Sequence, residues 1–229
     1  MKRGEGRSAV EVFADAAVHA LRTPLAAVSG EVELALRRDR SPEAYRDALA
    51  RIGQCVAELI DLTADLAILG SSTDVAGVSR GASRLGAVLG SIVGDDAGAG
   101  TVIEGGAAGV DVDVIGDQAF LARSLRLLLQ HATRHVPPGG RVTLRVERVL
   151  HDRVELTLTA SPPLVGQTWR HLREDSDESG DVNAAGLLRL GTAARIVEHC
   201  GGAIRVDNGE AAGSVRITLR RVPAEAHGA

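Results

Sequence analysis

The sequence predicts an α + α/β chain: a helical hairpin that dimerises into a four-helix bundle, followed by an α/β sandwich. Three observations carry that expectation. Two stretches near the start repeat apolar residues in alternating steps of four and three, the spacing of a bundle seam. A Ser-, Thr-, Gly- and Ala-rich stretch then interrupts the pattern. Beyond it, segments of alternating apolar residues are interleaved with helical faces and glycine turns. The expected divisions are 8–70 for the hairpin, 71–83 for a linker and 84–222 for the sandwich.

Residues 1–7 are basic and glycine-rich and read as a frayed terminus. The first helix, running to about Arg38, carries Ala14, Val18, Leu21, Leu25, Val28, Val32 and Ala35 on one stripe. With Val18 and Leu25 on the seam, His19 lies one residue off the stripe and faces water. Arg22 and Thr23 follow about one turn on, close to the same outer face. Pro24 removes the helical bond to the carbonyl of Ala20, so a local bend is expected there. Asp39-Arg40 turns the chain, and Ser41-Pro42-Glu43 supplies a capping hydroxyl, a first-position proline and a first-turn acid. The second helix carries Tyr45, Leu49, Ile52, Val56, Leu59, Thr63 and Leu66 and ends near Gly70. Helices joined by so short a loop pack antiparallel. A two-helix hairpin cannot enclose its own stripes, so a homodimer with two His19 sites is expected.

In the sandwich, Leu85 to Val93 opens as a helix or a strand, and Val102-Ile103 reads as a short strand. Val110, Val112 and Val114 alternate as another. Gly116-Asp117 opens a helix whose apolar face holds Phe120, Leu121, Leu125, Leu128 and Leu129. Pro137-Pro138-Gly139-Gly140 is a turn between that helix and an antiparallel pair, Val142-Leu144-Val146 and Val154-Leu156-Leu158. Leu187 to His199 is a helix stopped by Gly201-Gly202, and Ile204, Val206, Val215, Ile217 and Leu219 close a hairpin of strands. The tail after Pro223 reads as disordered.

Composition excludes some functions. A net charge of -4 and a pI near 6.0 give no electrostatic reason to expect nucleic acid or an anionic membrane. At 2% aromatic residues, base-stacking platforms are not expected either. Cys55 and Cys200 have no metal-like spacing and read as buried small hydrophobes in a reduced cytosol. No apolar run approaches the roughly 18 residues of a membrane span, and the start lacks a signal-peptide core, so a cytoplasmic location is expected.

The run His19-Ala20-Leu21-Arg22-Thr23-Pro24-Leu25 resembles the phosphoacceptor box of bacterial sensor histidine kinases. Five of the six residues after the histidine agree, and Ala20 replaces an acidic one. Gly116-Asp117, the run Ala132 to Gly140 and Arg195-Ile196-Val197-Glu198-His199-Cys200-Gly201-Gly202 are similar to that family's ATP-binding domain. The resemblance covers about residues 9–221. It implies that His19 is the phosphoacceptor, with Arg22 and Thr23 beside it. It also implies a receiver domain docking over Arg22, Thr23, Ala26 and Gly30. The chain begins almost at this helix, so its signal is expected to arrive by protein contact.

The departures from the family pattern fall on its nucleotide chemistry. The family's magnesium-binding asparagine corresponds to His131, and a second asparagine one turn earlier to Leu127. Mg²⁺ prefers hard oxygen ligands, so neither is an adequate substitute. Ala160-Ser161-Pro162-Pro163-Leu164 stands where the family has Asp-x-Gly-x-Gly, which removes the adenine acceptor and both glycines. Leu187-Leu188-Arg189-Leu190 stands where a second glycine loop lets backbone N–H groups approach phosphate. Arg189 could attract a phosphate, but the cradle is absent. In family terms the residue at Ala20 is the general base; Asp15, one turn upstream, reads as a solvated acid.

These losses imply a histidine phosphotransferase that moves a phosphoryl group between His19 and receiver aspartates without ATP. No cofactor or metal is expected in the chain, with Mg²⁺ only in the partner receiver. Receiver domains are the expected partners, with a hybrid histidine kinase as a candidate, and neither nucleic acid nor membrane. The alternatives are a pseudokinase scaffold, an active histidine kinase and, since Thr23 is present, a receiver phosphatase. His135 and His171 show no metal-ligand spacing and read as surface residues. Asp117 reads as a helix cap, the run 173–181 as a solvated loop, and Trp169 as its anchor or a partner contact.

Overall fold

The computed structural model describes residues 9–70, 81–93, 101–104, 111–164, 169, 184–209 and 212–222. Residues 1–8, Val110, most of the linker, His171, the run 173–181 and the tail after Pro223 lie outside the described residues. Contacts divide the chain into two units, one holding the hairpin with residues 179–189 and the other holding residues 71–178 and 190–229. Residues 184–189, which the sequence assigned to the sandwich, therefore belong with the hairpin.

In the first unit, α1 (Ala9–Leu36) runs unbroken through Pro24 and stops two residues short of the expected Arg38. The second helix, α2 (Pro42–Gly70), starts as its sequence dictates. The Ser41 hydroxyl accepts from the Ala44 N–H at 3.3 Å, the Ser41 carbonyl accepts from Tyr45, and Glu43 lies in the first turn. Across the hairpin, Arg51 donates twice to the carboxylate of Glu31, at 2.8 and 3.0 Å. That fork holds Glu31 below and Arg51 above its ordinary pKa.

The stripe expected on α1 is split in two. Ala16, Ala20 and Pro24 are buried within the chain. Val18 (55% exposed), Leu25 (54%) and Val32 (40%), seven residues apart, face outward, as do Leu49 and Val56 of α2. One partner helix covers only one side of a stripe this wide. An unpartnered apolar seam remains.

In the second unit, β1 (Ala82–Arg84) begins before the expected boundary at 84 and leads into α3 (Leu85–Val93), a helix. A five-stranded sheet contains β2 (Thr101–Glu104), β4 (Arg141–Val149), β5 (Arg153–Ser161), β6 (Ala203–Gly209) and β7 (Ala212–Arg220). Its order is β2-β4-β5-β7-β6, with β2 parallel to β4 and every other pair antiparallel. The strand expected from Val110 is shorter: β3 (Asp113–Ile115) pairs with β1, and its Val114 also bridges Arg221 just beyond β7. The Val112 carbonyl accepts the N–H of Leu85 at 2.9 Å, which continues the β1–β3 register one pair beyond Arg84–Asp113.

Alternate residues of β4, β5 and β7 (Val142, Leu144, Val154, Leu156, Leu158, Val215, Ile217 and Leu219) are buried, as period-two patterning requires. Buried residues of α4 (Gln118–His135) and of α5 (Ala184–His199) from Leu190 onward complete this core. Asp117 caps α4, accepting from the N–H groups of Ala119 (2.9 Å) and Phe120 (3.3 Å). Its role is structural, as the sequence indicated. Helix α5 begins three residues before the expected Leu187 and ends on Gly201, which adopts φ +72°. At Gly116 (φ +130°) a β-carbon would lie 2.5 Å from the sulfur of Cys200, so only glycine fits.

Candidate functional site

His19 is exposed on the outer side of α1, and Arg22, Thr23 and Ala26 are exposed along the same helix. Steps of three, four and four place His19, Arg22, Ala26 and Gly30 on one face. Gly30 is half-buried, and a β-carbon added there would meet nothing within 4 Å, which leaves the surface shallow. The hydroxyl of Thr23 donates to the carbonyl of His19 at 3.4 Å. Pro24 has no N–H for the neighbouring carbonyl of Ala20. Such a site presents an accessible imidazole nucleophile on a fixed helix. It supplies no adjacent carboxylate, because Ala20 stands next to it and is only 4% exposed.

Ala20 has acquired a different environment. With Leu62 (0% exposed) and Leu188 (2%) it forms an apolar cluster, against which Leu21, Leu66 and Leu69 pack. The neighbour of Leu188, Arg189, is 9% exposed and donates to the carboxylate of Glu58 on α2 at 2.8 Å. The guanidinium that the sequence left open for a phosphate is thus held by a carboxylate. Leu187, beside it, is half-buried. Sequence reasoning missed Leu188 and Glu58. The glycine positions of the resembled loop fall on Leu187 and Arg189, so neither the packing of Leu188 nor the partner Glu58 has a local signal in the sequence.

In the second unit, His131 lies half-buried on α4, and Leu127, one turn before, is buried. The His131 ring lies 4.4 Å from that of His135 and 5.2 Å from that of Trp169. Nδ1 of His135 is 2.8 Å from the carbonyl of His131, to which it donates. Trp169 is fully buried, and its indole N–H has no partner among the described residues; the run it was expected to anchor lies outside them. Ala160 is half-buried opposite Val142 in the β4–β5 ladder, and Pro162 follows a cis peptide bond. His135 is exposed, as expected. His131 lies one helical turn before it.

Neither cysteine forms a disulfide. Cys200 is buried, its thiol pushed up to about 11 by burial and, secondarily, by Asp117; Cys55 is only half-buried, not buried as expected. Among the described residues no group of three or more His, Cys, Asp or Glu side chains could hold a metal ion. None of the described helices is long and apolar enough to cross a membrane.

Comparison with known proteins agrees with this geometry. Residues 9–73 match the His Kinase A (phospho-acceptor) domain. The chain is 30% identical, over 82% of its length, to the signal transduction histidine-protein kinase/phosphatase MprB of Mycolicibacterium smegmatis, and spans 40% of that relative. The solved histidine kinase AdeS of Acinetobacter baumannii superposes with a TM-score of 0.59 at 17% identity, covering 90% of this chain and 98% of that one. The histidine kinase ThkA, solved in complex with the response regulator protein TrrA, gives a TM-score of 0.58 at 17% identity, covering 90% of this chain and 60% of that one. The chain has a histidine-kinase-like fold, and its residues 9–73 belong to the His Kinase A phospho-acceptor family.

Proposed function

We propose that this chain acts in two-component signalling by carrying a phosphoryl group on His19, taken from a receiver aspartate and passed to another, without ATP. The observation that carries the reading is the fate of the phosphate-loop position: Leu188 packs on Ala20 and Leu62, and Arg189 is paired with Glu58. With Leu127 offering no oxygen and His131 an imidazole, these residues do not fit ATP and Mg²⁺. In the transfer, a nitrogen of His19 attacks phosphorus, the bond to the aspartyl oxygen breaks, and the carboxylate leaves. The imidazole proton goes to solvent. An aspartyl phosphate is already activated, so the missing carboxylate at position 20 matters less than it would with ATP. The receiver supplies Mg²⁺, and this chain supplies position and exposure.

Response-regulator receivers are the proposed partners, supported by the ThkA–TrrA complex. Docking runs over Arg22, Thr23, Ala26 and Gly30. A homodimer is proposed as well, supported by the exposed seam of Val18, Leu25, Val32, Leu49 and Val56. A second reading, an ATP-dependent histidine kinase, has its own support: the curated relative is named a kinase/phosphatase, and the comparisons favour that reading over a transfer-only role.

One experiment separates them. The full chain is incubated with a phosphorylated receiver and, separately, with labelled ATP and Mg²⁺. Acid-labile, alkali-stable label from the receiver alone, lost in His19→Ala while receiver binding persists, is the expected result. Label from ATP would replace relay with the kinase reading, and a His19→Ala chain that relays normally would end both.

A further inference from the structure

We propose that the solvent face of the five-stranded sheet is a docking surface for anionic lipid headgroups at a membrane surface. The inference does not depend on His19 or on the relay. A net charge of -4 gives no reason to expect an anionic partner, but the charge is unevenly placed. Period-two alternation turns the apolar residues of β4, β5 and β7 to the core and leaves those between them outward. Across the sheet, one outward row reads Arg145, Thr157, Arg216 and Arg205, on β4, β5, β7 and β6 in turn. The next row brings Arg148 opposite Glu155, and the one after it Arg153 opposite Arg220. All six arginines are exposed.

Two carboxylates on this face are already committed: Glu155 accepts from Arg153 at 3.2 Å, and Asp207 accepts from Arg216 at 2.8 Å. Arg148, Arg205 and Arg220 have no ion pair among the described residues. Glu147 in the bulge of β4 and Glu104 opposite Arg145 on β2 lower the positive excess without cancelling it. With strands about 4.8 Å apart and a rise of about 3.3 Å per residue, the arginines spread over about 14 Å across the strands and about 13 Å along them. That two-dimensional spread suits a layer of headgroups, whereas a single acidic segment or a nucleic-acid strand would follow one line of it. Neither an aromatic nor a large apolar residue stands in these rows, so nothing there stacks on bases or inserts between acyl chains. Adsorption on the lipid surface is electrostatic and therefore sensitive to salt.

The test sediments the full chain with vesicles of phosphatidylcholine, pure or with about 30 mol% phosphatidylserine, at about 0.05 and 0.5 M salt. Binding to the phosphatidylserine vesicles at low salt, absent with pure phosphatidylcholine and lost at high salt, is the expected result. Arg205→Gln/Arg220→Gln removes two exposed guanidiniums that hold no ion pair. It should weaken binding by about tenfold or more while thermal unfolding is unchanged. Arg37→Gln/Arg38→Gln, an equal change of charge at exposed positions between α1 and α2, should weaken it far less. No binding to the anionic vesicles, equal binding to pure phosphatidylcholine, or equal losses in the two variants overturns the lipid site. So does tighter binding, at the same salt, of polyglutamate or a short DNA duplex that the Arg205→Gln/Arg220→Gln chain loses. Either would assign these arginines to an acidic protein or to nucleic acid instead.

Discussion

Restoring the family's acidic residue beside the histidine, by Ala20→Glu, looks on sequence grounds like a repair of catalysis. The structure predicts damage instead. Ala20 is 4% exposed, and the side chains around it are Leu62, Leu188, Leu21, Leu66 and Leu69. The added atoms must enter that cluster or displace part of it. Entry means overpacking, about 1–3 kcal/mol, plus several kcal/mol for a carboxylate without a partner there. Expelling Leu188 forfeits its burial, about 1.5–3 kcal/mol, and is the cheaper route. A loss of about 2 kcal/mol follows, or a fall of about 4–8 °C in Tm for a chain of this size. Thermal and urea unfolding of the purified variant measure it.

A double-mutant cycle sharpens the test. Leu188→Ala alone should cost about 2–5 kcal/mol through the cavity it leaves. In Ala20→Glu/Leu188→Ala the new carboxylate finds room, so the combined loss should fall short of the sum by about 1 kcal/mol or more. Additive losses, or an Ala20→Glu chain as stable as the parent, would refute the cluster as drawn.

Other expectations concern the seam and the thiols. Leu25→Asp changes a side chain that is 54% exposed in the single chain, so it should leave the hairpin folded. In a dimer it would bury a charge at the seam, so sedimentation should show monomers at micromolar concentration; a parent chain that is itself monomeric contradicts the dimer. The Cys200 thiol, raised from 9.0 to about 11 by burial and by Asp117, should resist a thiol reagent at pH 8 until the chain is unfolded, while Cys55 reacts. Its folded pKa lies above the unfolded one, so its contribution to stability is complete below pH 9 and is lost as pH rises towards 11. Fast reaction of both thiols in the native chain contradicts that burial.

Much of the fold was legible because local signals agreed with one another. Ser41-Pro42-Glu43, Asp117 and Gly201 each start or stop a helix through backbone chemistry confined to a few residues. The alternation in β4, β5 and β7 likewise exposes its burial directly. Where the reading slipped, a distant partner decided. Ser83, at the end of the expected linker, is held in β1 by donating to the carbonyl of Gly116 at 2.7 Å. For the site, the exposure of His19 followed from helix periodicity alone. The pairing of Arg189 with Glu58, 131 residues away in sequence, could not.

The residues at positions 20, 188 and 189 are better understood as one physical unit than as separate features. A carboxylate at position 20 would be incompatible with an apolar cluster that Leu188 completes. Arg189 is tolerable at 9% exposure because Glu58 meets it at 2.8 Å. Each residue therefore makes the others' identities stable, and reverting Ala20 or Arg189 alone meets a penalty before it recovers any nucleotide contact. Breaking the ion pair with Glu58→Ala would leave a nearly buried guanidinium without its carboxylate, whereas Arg189→Met keeps the stem and removes the charge. The methionine variant should therefore be the more stable of the two. If the order is reversed, Arg189 is held by something other than Glu58, and the argument that its charge is committed fails with it.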